Sequence, residues 1–198
     1  SRAPRALCRF AAQKPGRRQT GISDLLTSLS AHARSRIVFS GVKLGNPPVV
    51  AALKDSKVPV EFIGNGWDGG NGELTMVLDE LAEKSEARGW LRVGNAFQKI
   101  RLADQRSQAR QRYASYADFL SGSRVVWASF NFVHYKAWQF DHEGLWLGSA
   151  NPTEDAFSGF YESGIYCLDA KLAEAADATI ALDMANSIPI RSENVDRR

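Results

Sequence analysis

Residues 134–151 read HYKAWQFDHEGLWLGSAN, running from His134 through Lys136, Asp141 and Gly148-Ser149 to Asn151. Reduced to side chains that can do chemistry, the stretch is His-x-Lys, four residues, Asp, six residues, then Gly-Ser-x-Asn. Tyr135 to Asp141 and Leu145 to Leu147 alternate in the manner of strands. In an alternating strand, positions 134 and 136 share a face, which sets an imidazole beside an ammonium. Gly148 follows a short apolar run, and a turn there presents the Ser149 hydroxyl and the Asn151 amide as further donors.

Six residue types at fixed offsets arise by chance on the order of once in a million sequences of this length, or less often. The spacing matches the signature of the phospholipase D superfamily, and the chain resembles a one-motif member of it. That resemblance implies an α/β sandwich with a mixed central sheet and helices on both faces. It also implies that His134 forms a phosphohistidine, that Lys136 and Asn151 bind phosphate, and that Ser149 supports them. Glu162, in GFYESGIYC, matches the position of a carboxylate that orients the nucleophilic histidine in the family. Asp141 is read as structural, because a carboxylate beside a phosphate opposes binding.

The residue types suit a phosphodiester. Such an anion repels anionic nucleophiles, so a neutral imidazole among cationic and hydrogen-bonding groups is a fitting attacker. Lys136 and the amide and hydroxyl donors supply the charge stabilisation, so no metal or cofactor is implied. The superfamily mechanism needs a second histidine to protonate the leaving oxygen. Neither His32, followed by Ala33-Arg34, nor His142, followed by Glu143-Gly144, opens another His-x-Lys. A twofold homodimer would complete the site, as in the small bacterial endonucleases of the resembled family. A second motif-bearing domain in a longer chain is the alternative.

Upstream, residues 1–21 are basic and punctuated by Pro and Gly, and read as an extended arm. Residues 22–190 read as one phosphodiesterase domain and 191–198 as a polar tail. Ser23-Asp24 reads as a capping pair, Arg36–Leu44 and Val58–Ile63 as strands, and Asn46-Pro47-Pro48 as a helix start. Lys171–Ala185 reads as a helix. Gly64-x-Gly66-x-x-Gly69 formally matches a dinucleotide-binding loop, and Gly164-Ile165-Tyr166 matches one tripeptide of another nuclease family. Neither has the context its chemistry requires.

The 198 residues, 44% apolar, suffice for one core, and no apolar run approaches the roughly 18 residues of a membrane-spanning helix. Cys8 and Cys167 are too few for a four-ligand zinc site and read as reduced thiols of a cytoplasmic protein. The net charge of +3 is small, but Arg101, Arg106, Arg110 and Arg112 crowd one segment followed by Tyr113 and Tyr116. Such a stretch can grip phosphates, which tilts the expected substrate toward DNA or RNA. A phospholipase or phosphatidyl transferase is the second expectation, with exposed tryptophans as its mark. A non-catalytic nucleic-acid-binding module is the third.

Overall fold

The computed structural model describes residues 7–16, 21–42, 44–65, 119–120 and 123–191. In chain order the elements are β1 (Leu7–Gln13), α1 (Gly21–His32), β2 (Ile37–Ser40), α2 (Pro47–Asp55), β3 (Val60–Asn65), β4 (Arg124–Ser129), β5 (Lys136–Phe140), β6 (Gly144–Gly148), α3 (Glu154–Ser158), β7 (Glu162–Leu168), α4 (Ala170–Ala185) and β8 (Ser187–Ile190). One mixed sheet joins the strands in the order β1-β7-β6-β5-β2-β3-β4-β8. Strands β2, β3 and β4 are parallel neighbours, and the remaining pairings are antiparallel.

All four residues of β2 are buried, as a central strand covered on both faces requires. Ile37 and Phe39 face the side covered by α1 and α2, where they meet Leu26, Val49, Leu53, Val60, Phe62, Trp138 and Trp146. Phe39 stacks on Phe62 at 4.8 Å and on Trp138 at 4.3 Å. Such pairs contribute about 0.5 to 1.5 kcal/mol each beyond their buried area. Val38 and Ile63 point to the opposite face and pack with Ile180, Ala176 and Met184 of α4. The mixed sheet with helices on both faces is therefore the observed architecture.

Asn46 caps α2 by accepting from the Val49 N–H at 3.2 Å, with prolines in its first turn. Ser23 and Asp24 lie inside the first turn of α1 rather than ahead of it, since the helix begins at Gly21.

Several expectations need correction. Leu7–Gln13 is not an arm: it pairs along its whole length with β7, Leu7 opposite Leu168 and Gln13 opposite Glu162. The basic residues on either side of it in the sequence hid the strand, which itself carries only Arg9 and, as an edge strand, needs only one ladder. Cys8 and Cys167 are not reduced thiols but a disulfide on one rung of that ladder, spanning 159 residues of sequence. Residues 187–190 add an unexpected edge strand, where Pro189 deprives no inner neighbour of a donor. Gly164-Ile165-Tyr166 is simply the middle of β7.

The Gly66–Gly69 part of the glycine loop and the residues Arg101, Arg106, Arg110 and Arg112 lie outside the described residues. Phe119 and Leu120 are buried, with Phe119 edge-on to Phe39 at 6.1 Å.

Candidate active site

Strands β5 and β7 run in one direction, with β6 antiparallel between them. The starts of β5 and β7, the finish of β6 and the carboxyl ends of β2, β3 and β4 therefore share one end of the sheet. Ligands of α/β sheets gather outside the carboxyl ends of the parallel strands.

Strands β4 and β5 are not neighbours, because β3 and β2 stand between them. Residues 130–135 must cross those strand ends, a span of about 14 Å from three strand spacings. This is why His134 is not in the strand, correcting the expectation that 134 and 136 alternate along it. His134 lies exposed on the crossing, stacked on Phe132 with ring centroids 5.7 Å apart and 17° between planes. The Ser40 hydroxyl fastens the crossing to β2: it reaches the Tyr135 carbonyl at 3.2 Å and accepts from the Ala137 N–H at 3.2 Å. Ser40 is a residue that sequence reasoning missed, and its signal was a lone hydroxyl closing the apolar run Ile37-Val38-Phe39.

Lys136 opens β5 and is 7% exposed. Its ammonium donates to the His134 carbonyl, which fixes the crossing's last turn relative to the strand. Burial lowers the Lys136 pKa below the ordinary lysine value, and the nearby Glu162 carboxylate partly offsets this. A buried cation without a full counter-charge is a ready partner for an arriving anion.

Across the sheet Lys136 faces Gly148, and Gly148 faces Gly164. A Cβ at Gly148 would stand 2.9 Å from both the Ser163 carbonyl oxygen and the Trp146 ring. At Gly164 it would stand 2.3 Å from that ring, so two glycines make room for the buried Trp146 beneath the site. The next residue, Ser149, donates from its backbone N–H to the Ser163 carbonyl at 2.9 Å, and its hydroxyl accepts from the Ser163 N–H at 3.1 Å. The hydroxyl proton is given to the Glu162 carboxylate. Among the described residues, Glu162 thus bonds Ser149 and not the His134 ring to which the family pattern assigned it.

Asn151 accepts at Oδ1 from the Val42 N–H at 3.0 Å. Committing the oxygen turns the amide NH₂ into the group left for an acceptor. The turn is knitted to the loop after β2, since the Pro152 carbonyl accepts from the Gly45 and Asn46 N–H groups at 2.8 and 2.9 Å.

Asp141 is at the other end of β5. Its carboxylate accepts from the backbone N–H groups of Arg34, Ser35 and Arg36 and from the Ser35 hydroxyl, at 2.7 to 3.2 Å. Burial pushes its pKa up, but these hydrogen bonds outweigh that and hold it below the ordinary carboxylate range. His142, in the same turn, bonds Asp177 through Nδ1 at 2.8 Å. Among the described residues no group of three His, Cys, Asp or Glu could hold a metal ion.

No family model matches the sequence, and no curated protein sequence matches it. Solved structures do. Nuc, a phospholipase D family member from Salmonella typhimurium, gives a TM-score of 0.66 at 16% identity, over 95% of this chain and all 100% of that one. NucT from Helicobacter pylori gives 0.59 at 13%, over 93% of this chain and 100% of its own. A phosphatidylserine synthase from Haemophilus influenzae gives 0.58 at 12%, over 94% of this chain but 40% of the synthase. This chain therefore has the fold of the phospholipase D superfamily, with His134, Lys136, Ser149 and Asn151 at the carboxyl end of its parallel strands.

Proposed function

We propose that this chain is a metal-independent phosphodiesterase that cleaves DNA or RNA through a phosphohistidine at His134, two copies together completing one site. The observation that carries the reading is the meeting of an exposed imidazole, a buried ammonium and the Gly-Ser-x-Asn turn at one end of the sheet. The likeness in fold to Nuc and NucT supports it.

In this reading a ring nitrogen of His134 attacks phosphorus while the bond to the leaving oxygen breaks. That oxygen takes a proton from the imidazolium of His134 in a second copy. Water then gives its proton back to that imidazole and attacks phosphorus, the P–N bond breaks, and His134 is restored. Lys136 and the Asn151 amide hold the non-bridging oxygens throughout. Glu162 helps Lys136 keep its charge and holds Ser149.

A lipid substrate is the second reading. It is favoured by an exposed apolar row across three strands, Phe10 opposite Ile165 and Ile165 opposite Leu147, and by the likeness to the phosphatidylserine synthase. Among the described residues the tryptophans do not supply such a patch, since Trp138 and Trp146 are buried and Trp127 is half-buried; Trp67 and Trp90 lie outside them. Among the described residues no helix is long and apolar enough to cross a membrane. The disulfide favours an oxidising compartment over the cytoplasm.

Plasmid, single-stranded DNA, RNA and phosphatidylcholine vesicles are incubated in chelator with the protein and with His134→Ala. Nucleic-acid cleavage that disappears in the variant is expected. Cleavage retained in His134→Ala would remove the nucleophile assignment, and hydrolysis of lipid alone would promote the second reading. Sedimentation is expected to find a dimer, and a fully active monomer would end the shared-site arrangement.

A further inference from the structure

Large aromatic rings fill the core of this protein, yet at the site end four stand in solvent. Phe130 and Phe132, on the crossing from β4 to β5, are 59% and 64% exposed. Phe160 and Tyr161, in the turn before β7, are 59% and 75% exposed. Leaving out rings of this size forgoes the largest apolar burial a residue can offer, so a cluster of them marks a surface that meets something.

Their placement says what. The residues preceding β5 and β7 lie two strand spacings apart, about 10 Å, with Gly148-Ser149 between them. Phe132 stacks on His134, with Phe130 farther back on the crossing beside β4, and the other pair directly precedes Glu162, whose carboxylate holds Ser149. Phosphate-binding donors with aromatic rings on either side form the composition of a site for an unpaired polynucleotide strand. Every base has a face that can stack on such rings, whereas a duplex hides those faces inside its own stack. An acyl chain would call for aliphatic walls on both sides of the phosphate, whereas the exposed residues that stand before β5 and before β7 are aromatic.

We propose that Phe132 and Tyr161, with their neighbours Phe130 and Phe160, are stacking platforms for unpaired nucleobases on the two sides of the scissile phosphate, selecting single-stranded over duplex nucleic acid. This rests on the phosphodiesterase reading above and adds the form of the substrate to it. Phe132 has a second effect through its stack on His134, so its replacement can also disturb the nucleophile. Tyr161 stands on the other flank and isolates the contribution of stacking.

The test measures binding of a phosphorothioate oligothymidylate of about 20 nucleotides, of the same strand in a duplex, and of phosphatidylcholine–phosphatidylglycerol vesicles. Phe132→Leu and Tyr161→Leu keep apolar bulk without a π face, while Phe132→Trp and Tyr161→Phe keep the face. Each leucine variant is expected to lose about tenfold in affinity for the single strand and less than about twofold for the duplex. The aromatic variants are expected to stay within about twofold of the parent. Equal losses on both nucleic acids, no loss at all, or a loss confined to vesicles would overturn the proposal. Cleavage of ordinary DNA in chelator separates the two readings. If the parent cleaves it while the leucine variants bind like the parent, the platforms fail and the phosphodiesterase stands; if it binds neither oligonucleotide, both fail.

Discussion

The two ends of strand β5 are built on opposite rules. At the Asp141 end the charged groups of the described residues are matched. The carboxylate takes four donors from residues 34–36, and Arg36 bridges Glu61 at 3.1 Å and Asp177 at 3.4 Å. His142 bonds Asp177, and the Cys8–Cys167 disulfide ties the far edge strand at the same end of the sheet. At the Lys136 end a buried ammonium has a backbone carbonyl and an incomplete counter-charge, the nearby imidazole is exposed, and the Asn151 bond to Val42 uses the amide oxygen and leaves the NH₂ over. A matched end holds the hairpin in register, and an unmatched end is what the proposed phosphodiester site requires. The motif residues of one continuous stretch thus divide between the two duties by the length of a single strand.

The sharpest way to break this comparison is Lys136→Met. The shape is nearly conserved and the buried charge is gone, so folding should be unharmed, with Tm equal to or above that of the parent. Turnover should fall by about 10²- to 10³-fold, the scale of losing one preorganised group that stabilises transition-state charge. Thermal unfolding and steady-state cleavage in chelator check both halves. A variant that loses stability while keeping its rate would reverse the roles assigned to the two ends.

Breaking the disulfide should do the opposite. Cys8→Ser with Cys167→Ser, or reduction of the parent by a dithiol, is expected to cost about 5 kcal/mol of stability, since the cross-link closes a loop of most of the chain. The rate per folded molecule should stay within about twofold, because the cystine sits at the Asp141 end, well away from Lys136. Denaturant titration with and without reductant measures the first, and cleavage below the unfolding transition measures the second.

What could be read in advance follows the same division. His134, Lys136, Ser149 and Asn151 are adjacent in sequence because one hairpin carries them, so local spacing discloses them. The pairing of Cys8 with Cys167, the strand at Leu7–Gln13 and the bond from Ser149 to Glu162 depend on which strands become neighbours, and short-range pattern carries no such information. The position of His134 off the strand was hidden for a related reason: only the sheet order shows that residues 130–135 must cross two strand ends. The role of Asp141 was legible as a charge that would oppose a phosphate, but its partners at 34–36 were not.

Asp141→Asn is the milder test of the matched end. Asparagine tolerates the left-handed backbone at this position, where φ is 57°, and retains an accepting oxygen. It loses the charge that strengthens four hydrogen bonds, so a cost of about 2 kcal/mol is expected, with turnover of folded protein unchanged. A variant as stable as the parent would mean that the 34–36 loop is held by something other than this carboxylate.

The smallest effect separates Asp141 by its titration. Its folded pKa is depressed, so its contribution is fully present above the unfolded value of about 3.9 and is lost as pH falls through the lower folded value. Asp177, also depressed in spite of burial by His142, Gln139 and Arg36, acts with the same sign and remains in the variant. Stability of the parent should therefore be flat with respect to these groups above about pH 5 and decline below pH 4, where Asp141→Asn declines less steeply. The gap between the two proteins should be constant near neutrality and narrow in acid, as the parent's carboxylate takes up the proton that the amide never binds. A gap that widens in acid would mean that Asp141 is easier, not harder, to protonate in the folded chain, and its hydrogen bonds could not then be what anchors this end of the hairpin.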